Sequence, residues 1–222
     1  MEVVNSQLKD RILATSLMLF EKHGFHSVTV KDIVEASGTS KGGFYHHYRS
    51  KDDLLFSIHD TFISYVLAKA KEANLTCQTP AEKLAQIIHS FAKVFDMYQP
   101  HISVFYQESK YLKPELDQLI KVKRDEYRLL INEVIASGQA TGEFRREIPF
   151  DISGMAILGI VNWTSKWYQR NGERSIDEIA DIFTDFIMHA LLTEKAKETY
   201  SFYFLDKSKA LTNVKGRPTS RS

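Results

Sequence analysis

The stretch that decides the fold is Thr29–Lys51, which reads TVKDIVEASGTSKGGFYHHYRSK. Thr29 and Asp32 have the spacing of a capping box, so a helix is predicted to begin at this point and to stop at Gly38. A second short helix is predicted over about residues 39–48. Two short helices joined by a turn that contains a glycine have the form of a helix-turn-helix motif.

The start of the second helix is made of small and polar residues, which lets a helix N-terminus approach a phosphate or the floor of a groove closely. From Thr39 to Lys51 the chain carries Lys41, Arg49 and Lys51 and no acidic residue. The whole chain is nearly neutral, with 29 Lys and Arg against 28 Asp and Glu. This balance excludes a strongly basic coating protein, so any nucleic-acid contact must come from a local patch such as this one.

Outside this stretch, apolar residues recur at three- and four-residue spacing, which predicts an all-α fold. Helices are expected over about residues 6–23, 29–38, 39–48, 50–70, 80–99, 101–109, 114–137, 152–170 and 175–192. Gly138 is predicted to end the helix that begins at Pro114. The expected organisation is a three-helix head over residues 1–52, a larger helical bundle over 53–192 and a C-terminal extension over 193–222.

The C-terminal extension has two parts. Its aromatic run, Tyr200–Phe204, is expected to pack on the body, since it would otherwise expose an apolar patch. Residues 207–222 contain basic residues and no acidic one, and we expect a mobile tail there.

Several function classes are disfavoured by what the sequence lacks. Cys77 is the single cysteine, which excludes a disulfide framework and a cysteine-based metal cluster. The eight histidines follow no metal-binding spacing, and neither a nucleophile elbow nor a phosphate-cradling glycine loop occurs. We therefore expect no cofactor, no metal and no enzyme activity. The chain has no secretory signal and no apolar run of membrane-spanning length, so we expect a cytoplasmic protein without membrane contact.

A longer pattern surrounds the helix-turn-helix: Ala14, Phe20, Gly24-Phe25, Thr29-Val30, Asp32-Ile33, Ala36-Ser37-Gly38, Ser40-Lys41-Gly42, Phe44-Tyr45, Tyr48 and Lys51-Asp52-Asp53-Leu54-Leu55. Over about residues 12–55 the chain resembles the TetR family of bacterial transcription regulators. It departs from the family at Gly43, where Thr, Ser or Ala is usual, and at Tyr48, where Phe is more frequent.

The resemblance implies a homodimeric DNA-binding regulator, most simply a repressor that a small-molecule effector releases from its operator. The residues expected to contact double-stranded DNA are Thr29, Lys31, Thr39, Ser40, Lys41, Gly42, Gly43, Tyr45, His46 and Lys51. Phe44 and Tyr48 are expected in the core, and His47 is left open between a DNA contact and a solvated face. Two symmetric heads predict a pseudo-palindromic operator with half-sites about 34–36 Å apart.

Residues 152–192 are apolar on more than one helix face, which exceeds what a surface helix needs. In the family the last two long helices form the interface between subunits, so a homodimer through this region is expected. A monomer core is the alternative. A helical-bundle protein or enzyme that does not bind DNA also remains possible, but it leaves the acid-free segment unexplained.

Aromatic residues of the middle helices and a mixed aromatic and cationic stripe are the candidates for effector binding: Phe91, Phe95, Tyr98, Phe105, Tyr127, Trp163, Lys166, Trp167 and Arg170. Such a set suits a ligand with an apolar body and an anionic head. Residues 162–172 resemble the acyl-CoA-responsive branch of the family. The alternative is a neutral hydrophobic drug as effector, with Trp163 at the dimer seam and Lys166 and Arg170 in surface salt bridges.

Overall fold

The structure, a computed structural model, describes residues 2–205, and the basic segment 207–222 lies outside the described residues. The described part contains ten α-helices: α1 (Glu2–His23), α2 (Val30–Ala36), α3 (Lys41–His47), α4 (Lys51–Thr76), α5 (Pro80–Met97), α6 (Gln99–Glu108), α7 (Pro114–Thr141), α8 (Phe150–Trp167), α9 (Ile176–Leu191) and α10 (Glu194–Thr199). Short 3₁₀ turns follow α6 at Ser109–Tyr111 and α10 at Ser201–Tyr203. The all-α prediction is confirmed.

Side-chain caps explain where several helices begin. Thr29, Thr79 and Ser175 each form a complete capping box with the acidic residue three positions later. The Ser50 side chain accepts a hydrogen bond from the amide of Asp53, 3.0 Å away, at the start of α4. Each cap satisfies a backbone N–H that has no partner within its helix, which fixes these starts from local sequence.

Gly138 does not end α7, so that prediction was wrong. The helix continues to Thr141 and ends at Gly142, whose φ of 81° is left-handed. Gly138 is a packing residue instead: a Cβ at this position would lie 2.1 Å from Cδ2 of Phe144, a ring that is buried. A glycine is required because the chain turns back and presses Phe144 against the helix backbone.

The helices α4, α5 and α7 form the centre of the bundle, with α9 packed on α5 and α8 packed on α7. The predicted division at residue 52 falls in the first turn of α4, which runs without a break from the head into the bundle. Hydrophobic packing is continuous across it, from Phe44 to Leu54 and Ile58. Helix α6 contacts both α1 and α4, so it connects the head with the bundle.

The chain after α9 folds back on the body. Tyr200 is buried, and the ring of Phe204 lies 3.9 Å from the His189 ring, centroid to centroid. The amide of Leu205 donates a hydrogen bond to Oδ1 of Asp185 at 2.8 Å. Tyr200–Phe204 therefore packs largely as expected, although Phe202 stays exposed. Among the described residues, no helix combines the length and the apolar character needed to cross a membrane.

Candidate DNA-binding interface and effector domain

Helices α1, α2 and α3 pack around a small apolar core that fixes which face of α3 is outside. Phe44 and Tyr48 are buried in this core, as the sequence predicts. Because their side chains point inward, Tyr45 projects outward with 54% of its surface exposed. Lys41 and His46 are also exposed, so α3 presents a polar face to solvent.

The turn between α2 and α3 is built by a left-handed glycine and a serine cap. Gly38 has a φ of 60°, a value that favours glycine, and the amide of Thr39 donates to the Val34 carbonyl at 3.1 Å. Ser40 then accepts a hydrogen bond from the amide of Gly43, 3.0 Å away. A Cβ on Gly43 would lie 2.5 Å from Oγ1 of Thr39. Glycine at this position, where the family usually has Thr, Ser or Ala, therefore leaves room for the Thr39 side chain against the first turn of α3.

Lys51 and Thr29, both predicted to contact DNA, also form hydrogen bonds within the protein. The Lys51 ammonium donates to the carbonyls of Phe25 and Val28, each at 2.7 Å, and lies 4.2 Å from the centroid of the Phe25 ring. Burial lowers the pKa of Lys51. Thr29 donates through its hydroxyl to Oδ2 of Asp32 at 2.7 Å, and this hydrogen bond is the main cause of the lowered pKa of Asp32. The Thr29 side chain thus stabilises the start of α2, and the Lys51 side chain ties the start of α4 to the loop before α2.

The structure places the ten predicted DNA-contact residues on the two short helices, their connecting turn and the start of α4. Seven are exposed: Thr29, Lys31, Ser40, Lys41, Gly42, Tyr45 and His46. Thr39, Gly43 and Lys51 are partly buried. His47, whose role the sequence leaves open, is also partly buried, and burial is the main cause of its lowered pKa.

Five of the predicted effector residues belong to the bundle, where Phe91, Phe95, Phe105 and Tyr127 are buried and Tyr98 is partly buried. Phe91 packs against Phe95 and Tyr127, with ring centroids 5.8 and 5.4 Å apart. Phe105 packs against the His59 ring at 4.7 Å, and Tyr98 against the Tyr65 ring at 5.3 Å. These contacts form an aromatic interior between α4, α5, α6 and α7.

The other four predicted effector residues are exposed, and of these Lys166 lines a cavity together with Phe95 and Tyr106. Trp163 and Trp167 are 65% and 45% exposed, and Lys166 is exposed as well. Arg170 forms an ion pair with Asp96, with Nε 3.3 Å from Oδ1. Helix α8 ends at Trp167, so the prediction that the helix and its stripe continue to Arg170 was wrong. The part of the stripe that lies on α8 faces outward because Ile157, Val161 and Thr164 fill the inner face of the helix.

Sequence reasoning missed a polar cluster inside the bundle, formed by His59, Tyr106, Arg124 and Asn162. His59 is fully buried on the apolar face of α4, between Leu55 and Phe62. The phenol of Tyr106 donates a hydrogen bond to Oδ1 of Asn162 at 2.6 Å. The available signal was a histidine at a core position of an otherwise apolar stripe.

Helices α8 and α9 carry a row of large apolar side chains on their outer surface. Ile152, Met155, Trp163 and Phe186 are each more than half exposed. Gly159 lies between them on α8, and a Cβ there would meet nothing within 4 Å. Several large exposed apolar side chains on neighbouring helices are typical of a surface that another protein covers.

Comparison with known proteins agrees with this architecture. Residues 12–58 match the family model of bacterial regulatory proteins of the tetR family, and residues 77–191 match the tetracyclin repressor-like C-terminal domain. The chain belongs to the TetR family. Members of this family are DNA-binding regulators and not enzymes.

Individual relatives match this chain over most of its length. The transcriptional repressor KstR2 of Mycolicibacterium smegmatis is 22% identical over 81% of this chain and 88% of its own length. The crystal structure of PfmR from Thermus thermophilus has a TM-score of 0.75 and 28% identity, and the match covers 82% of this chain and all of PfmR. AibR, solved in complex with isovaleryl coenzyme A and operator DNA, has a TM-score of 0.70 and 21% identity over 81% of this chain and 97% of its own.

Proposed function

We propose that this TetR-type repressor binds a pseudo-palindromic operator as a homodimer and is released by a small amphipathic acyl compound. The observation that carries the DNA-binding proposal is the outward polar face of α3, on which Lys41, Tyr45 and His46 are exposed while Phe44 fixes the helix from behind. A short helix held in this way can enter the major groove of DNA.

The dimer proposal is supported by the exposed apolar face of α8 and α9. Large side chains such as Met155 and Phe186 would be removed from water if the same face of a second copy covered them. A two-fold axis through this face would make the contact self-complementary and would present two heads to the DNA. We expect a Met155→Glu variant to dissociate into monomers in analytical ultracentrifugation, whereas Leu75→Glu, at an exposed site on α4, leaves the dimer intact.

The effector proposal is supported by the aromatic interior and by the acyl-CoA complex of the structurally similar AibR. An acyl-CoA or a related amphipathic acid is the effector class that we propose. Helix α6 is placed to transmit binding to DNA, since it carries Phe105 and Tyr106 of the interior and also contacts α1 of the head. Trp163 and Lys166 are exposed, so they supply no cation to the aromatic interior. This favours a second candidate, a neutral hydrophobic compound that binds in the interior alone.

The test is operator binding by the full-length protein. Operator fragments are selected from random duplex DNA, and dissociation constants are measured by fluorescence anisotropy. Tyr45→Ala is expected to abolish specific binding and to leave the thermal midpoint unchanged, because this side chain is exposed. The matched control Phe202→Ala removes an exposed aromatic ring outside the head and keeps DNA affinity. Full operator binding by Tyr45→Ala would overturn the assignment of α3 as the DNA-reading helix.

A further inference from the structure

The polar cluster introduced above brings together side chains from four helices. His59 belongs to α4, Tyr106 to α6, Arg124 to α7 and Asn162 to α8. The ring of Phe105 joins two of them, since its centroid lies 4.7 Å from that of His59 and 4.9 Å from Cζ of Arg124. Tyr106 is linked to the cluster by its hydrogen bond to Asn162 and by the electrostatic effect of Arg124 on its phenol.

Two members of the cluster lack the partners that buried polar groups require. Both ring nitrogens of His59 and Nε of Arg124 are buried with no hydrogen-bond partner in the described part of the chain. The neighbouring cations of α7 are paired, Lys123 with Asp60 and Arg128 with Asp125. An unsatisfied buried polar group is costly, so a molecule that supplies hydrogen-bond partners would remove a penalty that the protein alone carries.

The chemistry of the unpaired groups defines what such a molecule must supply. Arg124 offers donors and a positive charge, and the neutral imidazole of His59 offers one further N–H. Burial lowers the pKa of His59 to about 3, which keeps the ring neutral near pH 7. The cluster therefore needs hydrogen-bond acceptors and a negative charge, while the neighbouring rings of Phe62 and Phe105 need an apolar body.

We propose that the effector is a carboxylic acid with an apolar body, and that its carboxylate binds between Arg124 and His59. This inference rests on the proposed control of DNA binding by an effector. A carboxylate accepts from a guanidinium in a charge-assisted, two-pronged arrangement, the strongest match available to this set of donors. The free acid and its CoA thioester differ at this point, since a thioester carries no charge at the acyl head.

A cavity lies beside Tyr106, and neither Arg124 nor His59 is among its lining residues. It has a volume of 140 Å³ and lies between α6 and α8, with Tyr106, Thr164 and Lys166 among its lining residues. Thr164 is fully buried and its hydroxyl has no partner among residues 2–205. Glu21 of α1 also lines this cavity, so an occupant would lie against the head as well as the bundle.

The proposed carboxylate site adjoins α6 through the ring of Phe105. An acyl body that exceeds the space beside this ring requires α6 to move. Because α6 contacts α1, that movement would displace the head relative to the bundle.

The experiment compares acids with uncharged analogues of the same length. Butanoate, hexanoate, octanoate and decanoate are titrated by calorimetry against the corresponding primary alcohols and CoA thioesters. Operator release is followed in parallel by fluorescence anisotropy. The variants are Arg124→Gln, the charge-conserving Arg124→Lys, and the matched control Arg128→Gln one turn further along α7.

In the wild type, the preferred acid is expected to bind about tenfold more tightly than its alcohol, as a charge-assisted hydrogen bond to the partly buried Arg124 allows. Arg124→Gln should remove this preference and keep the affinity for the alcohol, which shows that the variant is folded. Arg124→Lys should retain part of the preference, and Arg128→Gln all of it.

Three results would overturn the inference: equal affinity for acid and alcohol, an unchanged preference in Arg124→Gln, or release of DNA by CoA thioesters but not by free acids. The ligand-free protein separates these results from a failure of the proposed function. If it does not bind operator DNA, the proposed function fails. If it binds DNA normally and no acid is preferred, only the carboxylate assignment fails.

Discussion

Lys41→Ala tests how the head contacts DNA, because its effect can be worked out in advance. Lys41 is the first residue of α3, is exposed, and forms no ion pair within residues 2–205. The proposed dimer carries two copies, and each neutralised phosphate contributes about 0.9 to the slope of log affinity against log salt. The variant should therefore lower that slope by about 1.8. A fourfold rise in salt concentration should therefore reduce the ratio of wild-type to variant DNA affinity about twelvefold.

The assay is fluorescence anisotropy with a labelled operator duplex over a series of potassium chloride concentrations. Lys121→Ala is the matched control, since Lys121 is exposed on α7 in the bundle. It should leave the slope unchanged. The thermal midpoints of both variants should equal that of the wild type, because neither side chain contributes to the core. An unchanged slope for Lys41→Ala would refute the phosphate contact, whatever the change in affinity at one salt concentration.

Three further predictions concern stability. Gly138→Ala should lower the free energy of unfolding in urea by about 1–3 kcal/mol, because its Cβ would meet the buried ring of Phe144. In a Phe144→Ala background the same change should raise it by about 1 kcal/mol through helix propensity, and a missing reversal of sign would contradict the packing argument. Lys51→Met should lower the free energy of unfolding by about 1–3 kcal/mol, since two loop carbonyls lose a charged donor. Reduced DNA affinity with an unchanged unfolding midpoint would instead indicate a direct phosphate contact. Burial lowers the pKa of His59 from 6.5 to about 3, so the unfolded chain takes up the proton first and stability falls as the pH decreases between these values. His59→Phe should remove this loss, which amounts to at most about 1.4 kcal/mol per pH unit, and urea titrations at a series of pH values would measure it.

The polar cluster and the stability predictions are connected. A histidine with two unpaired nitrogens is a costly core residue, and phenylalanine would pack among the same rings without that penalty. If the cluster binds an acid, His59→Phe should both stabilise the ligand-free protein and weaken the binding of the acid. This combination is expected of a residue kept for binding, because stability is given up where function requires unpaired groups.

The sequence by itself determined several helix starts, the helix-turn-helix and the family. Capping boxes at Thr29, Thr79 and Ser175 depend on residues three positions apart, so local order is enough to predict them. The buried positions of Phe44 and Tyr48 follow from the same short-range periodicity. Of the aromatic residues that the sequence proposes for effector binding, Phe91, Phe95, Phe105 and Tyr127 are buried, because apolar stripes identify buried faces.

Only the tertiary structure decided what depends on contacts between distant segments. The sequence predicts a helix end at Gly138. The structure shows instead a glycine within α7, against which the returning chain packs the ring of Phe144. The outward turn of Trp163 and Trp167 depends on which side of α8 the other helices occupy. The meeting of His59, Tyr106, Arg124 and Asn162 joins positions that lie far apart in the chain. Helical periodicity specifies the face on which a side chain lies but not the partner opposite it, and that partner is set by how the helices pack.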